Sequence, residues 1–212
     1  MAAVADGAGS ARLAEVGASV ASSAVCSQVR KRLRDTGSFG SDEIVACIER
    51  ARDTVFDQAE ADGTPPRELA CTLLVAVVGP TNAVFAQIGD GAIVVSASGA
   101  AERALPAEPT EYANVTHFLT GEDWREHLRV VETTPPPWFA MLTDGLEPLC
   151  IDPRTDTPVA GFFEAFVEAI RGASPDVSKL VVPLRQFLGS ERVTARTDDD
   201  TTLLVAVLQG EP

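Results

Sequence analysis

The chain has 212 residues, 45% of them hydrophobic and 23% charged, an ordinary globular composition with enough apolar residues for a core. Against 17 Lys and Arg stand 31 Asp and Glu, and the net charge of -14 argues against nucleic acid or anionic lipid as a partner. Four scattered cysteines without a C-x-x-C pair argue against a zinc site or disulfide framework and suit a reducing cytoplasm.

The opening MAAVA reads as a strand. A helix is expected over about 11–33, with Leu13, Val16, Val20 and Ala24 on one stripe that Val25, Val29 and Leu33 continue. A second helix opens at Ser41 and buries Ile44, Ile48, Val55 and Ala59, with Asp62-Gly63 as its C-terminal cap. The period then changes to that of strands. CTLLVAVVG, NAVFAQIGD and AIVVSAS are expected at about 70–78, 83–89 and 92–97, joined by GPTN and GDG turns. VTHFLT and LRVVETT read as looser strands, and WFAMLTDG as a firm one at 138–143. GFFEAFVEAI is a short helix, a further helix lies within 177–188 and is started late or kinked by Pro183, and TTLLVAVLQ closes the chain as a strand at 202–208. Helices, then consecutive strands, then helices and a strand argue for an α+β fold with antiparallel sheet rather than alternating βαβ units. No linker divides the chain, so one domain over 1–212 is expected; no run is apolar and long enough to span a membrane.

Three apolar strands stop at Asp-Gly: AVADG (3–7), QIGDG (87–91) and MLTDG (141–145). The last strand is preceded by Asp198, Asp199 and Asp200. Carboxylates gathered at one rim repel each other unless a cation sits among them, and Mg²⁺ and Mn²⁺ prefer oxygen ligands of this kind. Each piece also has a plain reading. Asp90-Gly91 alone favours a type I′ hairpin turn. Asp144 reads equally as the start of a helical turn, and the acidic triplet as a solvated loop. Asp6-Gly7-Ala8-Gly9-Ser10 lacks the Lys of a phosphate loop and the glycine spacing of a dinucleotide fingerprint. His117 and His127 carry no motif and read as ordinary surface or satisfied residues.

Taken in order, DGAG, TLLVAVV, FAQIGDG, LTDG and DDTTLLV resemble the type 2C, metal-dependent serine/threonine protein phosphatases, bacterial branch. The resemblance spans nearly the whole chain and implies a sandwich of two antiparallel sheets flanked by helix pairs. It implies that Asp6 bridges two Mn²⁺ or Mg²⁺ ions, that the Gly7 carbonyl binds one of them, and that Asp144 is a second ligand. It also implies Asp199 as a ligand, preferred over Asp198, and links Asp90 to a third, loosely held ion. The nucleophile is then a metal-activated water rather than a side chain, and the partner is a phosphorylated protein. No cysteine begins a C-x₅-R loop, as a cysteine phosphatase requires. In the family a strand pair with an acidic metal ligand and a phosphate-gripping Arg precedes the first motif; with only five residues before Asp6, the expectation is either a natural protein that is longer or a shortened relative. The expectation is therefore weakened metal binding and slow or absent hydrolysis of p-nitrophenyl phosphate. The alternative is a catalytically weak or inactive module that binds a regulatory partner. Substrate identity and oligomeric state are not written in the sequence.

Overall fold

The computed structural model describes residues 1–97, 99–106, 116–173 and 176–208. In chain order the elements are β1 (Ala2–Val4), α1 (Ala14–Thr36), α2 (Ser41–Ala61), β2 (Leu73–Val78), β3 (Ala83–Ile88), β4 (Ala92–Ala97), β5 (Ala100–Arg103), α3 (Trp124–His127), β6 (Arg129–Thr133) and β7 (Trp138–Leu142). There follow α4 (Glu147–Cys150), β8 (Ile151–Asp152), β9 (Thr157–Pro158), α5 (Ala160–Ala173), α6 (Val181–Leu188), α7 (Glu191–Thr194) and β10 (Leu203–Val207). They form two compact units, Met1–Asp90 with Glu108–Pro135, and Gly91–Ala107 with Pro136–Pro212. Among the described residues every strand pairing is antiparallel, so the fold is α+β as expected and not a doubly wound parallel sheet.

The first unit holds a four-stranded sheet in the order β1-β2-β3-β6. GPTN turns β2 into β3, with the Gly79 amide donating to the Asn82 carbonyl at 2.9 Å. Helices α1 and α2 share a core with this sheet: Val25, Val29, Ile44, Ile48 and Val55 cluster with Leu73, Val75 and Ile88. On α1 the buried stripe is Gly17, Ala21, Val25 and Val29, an i, i+4 row of mostly small residues. Val16, expected inside, is 37% exposed. The small row wins because α1 lies so close to its neighbour that a Cβ on Gly17 would fall 2.0 Å from the Leu69 carbonyl oxygen. Helix α2 is capped from outside: the Ser41 amide and hydroxyl both donate to Glu132 Oε2 of β6. It ends at Asp62, with Gly63 at φ +63° as the sequence predicts.

The second unit holds the sheet β10-β7-β4-β5 and the small β8-β9 ribbon. Phe163 and Val167 of α5 cluster with Ala92, Ala140, Leu142 and Leu203, and Phe162, Phe166 and Phe187 pack around them. Pro183 starts α6 late, after a 3₁₀ turn at Val177–Leu180.

Two strand expectations change. Gly89-Asp90-Gly91 does not turn a hairpin, because β3 pairs with β2 and β6 while β4 pairs with β5 and β7. A type I′ turn needs positive φ at two successive residues; here Gly89 (+86°) and Gly91 (+82°) have it and Asp90 between them does not. VTHFLT forms no strand over its described residues, 116–120. Its backbone is used otherwise: the Leu119 amide donates to the Cys71 carbonyl, and the Leu119 carbonyl accepts from Arg52 Nε, each at 2.9 Å.

Candidate metal centre

In the first unit the strand register carries on past β1. The Thr72 amide donates to the Asp6 carbonyl at 2.8 Å, and Gly7 bridges to Cys71. The Asp6 amide is taken by the Thr72 hydroxyl at 3.0 Å. Gly7 is compelled by space, since a Cβ there would lie 2.7 Å from the Cβ of Ala14. The start of α1 thus closes on the strand end and fixes the position of Asp6.

Thr72 is 3% exposed and also meets the Asp90 loop. A Cβ on Gly89 would lie 2.5 Å from Thr72 Cγ2 and 2.9 Å from the His117 carbonyl oxygen. The Gly89 carbonyl accepts from Gln87 Nε2 (3.1 Å) and Arg129 Nη2 (3.2 Å), and the Asp90 carbonyl accepts from Gln87 Nε2 (3.2 Å). With its backbone held from below, Asp90 turns its carboxylate to the Thr116 hydroxyl, which donates to Oδ2 at 2.7 Å. Asp6 and Asp90, 84 positions apart by subtraction of their numbers, therefore flank one buried threonine.

The second unit uses the same device. Asp144 follows β7 and opens a 3₁₀ turn, so the helical-turn reading of this Asp is right as to backbone. Its Oδ1 accepts from the Gly145 amide at 3.0 Å. Thr143, 2% exposed, accepts from the Thr202 amide (3.0 Å) and donates to the Asp200 carbonyl (3.3 Å). A Cβ on Gly145 would lie 2.4 Å from the Asp200 carbonyl oxygen and 3.3 Å from Asp199 Cβ. The acidic triplet is thereby pressed against the Asp144 turn. Asp199 Oδ1 accepts from the Asp200 amide at 2.8 Å, which closes a local turn. All three residues of the triplet are exposed.

The structure thus groups the five expected residues as Asp6, Gly7 and Asp90 in the first unit and Asp144 and Asp199 in the second. Sequence reasoning missed the organising role of Thr72, Thr116 and Thr143, although Thr72 opens TLLVAVV and Thr143 stands within LTDG. It also missed Arg103, 7% exposed, which binds the Gly91 carbonyl (3.1 Å), Glu147 (2.9 Å) and Asp156 (2.6 Å). His117 and His127, expected as ordinary surface or satisfied residues, lie stacked.

The cysteines are free, and three are buried. Burial, with the charge of Asp6 adding to it, pushes Cys71 up to about 12; burial and then Glu147 push Cys150 up to about 12. Neutral thiols of this kind are poor nucleophiles, in keeping with the absence of a C-x₅-R loop.

Residues 1–188 match the family model for protein phosphatase 2C. The chain is 33% identical over 208 residues to serine/threonine-protein phosphatase 3 of Escherichia coli (strain K12), covering 96% of this chain and 82% of that protein. Its fold is similar to the Mycobacterium tuberculosis serine/threonine phosphatase PstP/Ppp (TM-score 0.63, 17% identity, 98% of this chain and 88% of that one). It is similar also to the catalytic domain of the serine/threonine protein phosphatase PstP in complex with two manganese ions (TM-score 0.61, 18% identity, 97% and 86%). At such identities the structures speak to the fold, while the family match and the E. coli relative speak to kinship. The chain belongs to the protein phosphatase 2C family.

Proposed function

We propose that this protein removes phosphate from phosphoserine and phosphothreonine of protein substrates, using water activated by Mn²⁺ or Mg²⁺. The observation that carries the reading is Gly145. Its missing side chain lets the Asp200 backbone and Asp199 Cβ rest on the turn that bears Asp144, so two carboxylates from distant segments share one strand end. Like charges gathered in this way are costly without a cation.

The donor set fits hard divalent ions, being carboxylate and carbonyl oxygen throughout: Asp6, the Gly7 carbonyl, Asp144 and Asp199, with Asp90 at a further position. When bound, such ions act as Lewis acids that make water nucleophilic near neutral pH and offset charge on phosphorus. The chain's own part is positioning. Thr72 fixes the strand end that carries Asp6, Thr116 orients the Asp90 carboxylate, and Thr143 ties the triplet to the Asp144 turn. In this reading all five residues serve as metal ligands. The relative solved with two manganese ions and the E. coli serine/threonine phosphatase support it.

The free cysteines suit a reducing cytoplasm. Among the described residues no helix is long and apolar enough to cross a membrane. The test is Mn²⁺-dependent phosphate release from phosphoserine and phosphothreonine peptides. Loss of that release in Asp144→Asn and Asp6→Asn supports the reading; metal-independent release refutes it.

A further inference from the structure

Arg103 ends β5 with a side chain only 7% exposed, and each of its three guanidinium nitrogens meets an acceptor. Nη1 donates to the Gly91 carbonyl at 3.1 Å, Nη2 donates to Glu147 Oε1 at 2.9 Å, and Nε stands 2.6 Å from Asp156 Oδ1. The acceptors belong to three segments of the second unit, and two of them adjoin expected ligands. Gly91 follows Asp90, and Glu147 lies three residues after Asp144. Resting on the metal centre proposed above, we propose that Arg103 is a positioning residue for it. The guanidinium sets where the Asp144 turn stands, and through that turn it governs affinity for the divalent ion.

The segment from Asp144 to Pro158 is held at both ends by this one side chain. It opens with the 3₁₀ turn Asp144–Leu146, continues through α4 and β8, and returns by β9. Glu147 is the first residue of α4, so its ion pair fastens the exit of the turn. Asp156 precedes β9, which pairs back onto β8 with Pro158 opposite Ile151. Asp156 has φ +52°, the only positive value at a non-glycine among the described residues. Asp tolerates that left-handed conformation at some cost, which the ion pair to Nε helps to offset.

The third contact presses from the neighbouring strand. A Cβ on Gly91 would lie 2.5 Å from the Leu142 carbonyl oxygen and 3.6 Å from the Asp144 amide nitrogen. The backbone that Arg103 grips at Gly91 therefore rests directly against the strand end that bears Asp144. A planar guanidinium with donors in a fixed fork suits this task, since it ties several acceptors together in one rigid arrangement.

Charge and position act in opposite directions here, which makes the role separable. A cation in this neighbourhood repels a metal ion, so by charge alone its removal would tighten Mn²⁺ binding. Loss of a positioning residue does the reverse, because the Asp144 turn then departs from the geometry the ion needs.

The test is Mn²⁺ binding followed by the electron paramagnetic resonance signal of free Mn²⁺, a readout independent of turnover. Arg103→Met and Arg103→Lys should each raise the Mn²⁺ dissociation constant about three- to tenfold, less than the about 10- to 100-fold typical of a direct partner of a ligand. Excess Mn²⁺ should restore phosphate release from a phosphothreonine peptide in both. Glu147→Gln should weaken binding likewise, and Arg103→Met should add little in that background, because the two act through one contact. Circular dichroism at the assay temperature checks the fold, and if Arg103→Met is unfolded, Arg103→Lys and Glu147→Gln decide the matter. Tighter binding in Arg103→Met, wild-type affinity in Arg103→Lys, or full additivity of Arg103→Met with Glu147→Gln would overturn the role and leave the metal centre standing. A wild type that binds no Mn²⁺ would overturn the metal centre, and this role with it.

Discussion

Gly145 and Asp200 are in contact through backbone alone: the space a Cβ on Gly145 would need begins 2.4 Å from the Asp200 carbonyl oxygen. This contact brings the acidic triplet to the turn after β7. Gly145→Ala must push the two segments apart. The expected cost is about 1–3 kcal/mol of stability, the usual range for overpacking. A lower Mn²⁺ affinity should accompany it, and urea denaturation with a Mn²⁺ titration of activity measures both.

Gly89 is constrained twice, by φ of +86° and by Thr72 Cγ2 at 2.5 Å from a would-be Cβ. Gly89→Ala should lose about 1–3 kcal/mol from the backbone conformation, with steric displacement of Thr72 adding to it. Thr72→Val keeps the methyl packing and removes the hydroxyl that accepts from the Asp6 amide, so it should act on metal response more than on melting. Equal loss of stability in the two variants would show that the hydroxyl only packs.

Arg103 is nearly buried and joins Gly91, Glu147 and Asp156. Arg103→Met leaves two carboxylates and a carbonyl without it. Because Glu147 and Asp156 are 29% and 41% exposed, the loss should fall near the low end for a broken buried pair, about 3 kcal/mol. Arg103→Lys should recover little of it, since an ammonium cannot reach three acceptors in the fork geometry. Chemical denaturation of the two variants checks both statements.

The thiols of Cys71 and Cys150 are raised from 9.0 to about 12 in the folded state. Their protonated form is favoured by folding, and the unfolded chain releases these protons first. Their contribution is therefore fully present below pH 9 and declines as pH rises from 9 toward 12. Melting temperature should fall across that window, and Cys71→Ala or Cys150→Ala should flatten the fall. At pH 8 the native protein should resist iodoacetamide at both positions, as peptide mass mapping would show.

The fold was largely legible because its elements advertise their period. The β2 and β3 runs, the i, i+4 rows of α2 and the Pro183 break all correspond to elements of the structure. What escaped was decided by tertiary contact. Gly89-Asp90-Gly91 has the letters of a hairpin, yet its strands find partners in different sheets. Val16 lost its expected place to Gly17 because the approach to Leu69 admits no side chain. At the site, the aspartates were visible because Asp-Gly recurs at strand ends. Thr72, Thr116 and Thr143 were not, since a threonine's role depends on which distant amide or carboxylate it meets. His117 and His127 become neighbours only once the loop between them folds onto Arg52 and the Trp124 anchor.

The most direct measurement is phosphate release from a phosphothreonine peptide as Mn²⁺ is titrated, with wild type and Asp144→Asn compared under identical conditions. The substitution keeps the side chain's shape and its capacity to accept from the Gly145 amide, and removes the charge. Replacing even an outer partner of a metal ligand typically costs about 10- to 100-fold, so the wild type should show Mn²⁺-dependent release and Asp144→Asn should lose at least about 100-fold of it. Release that continues in chelator, or an Asp144→Asn protein that matches wild type at every Mn²⁺ concentration, would contradict the account.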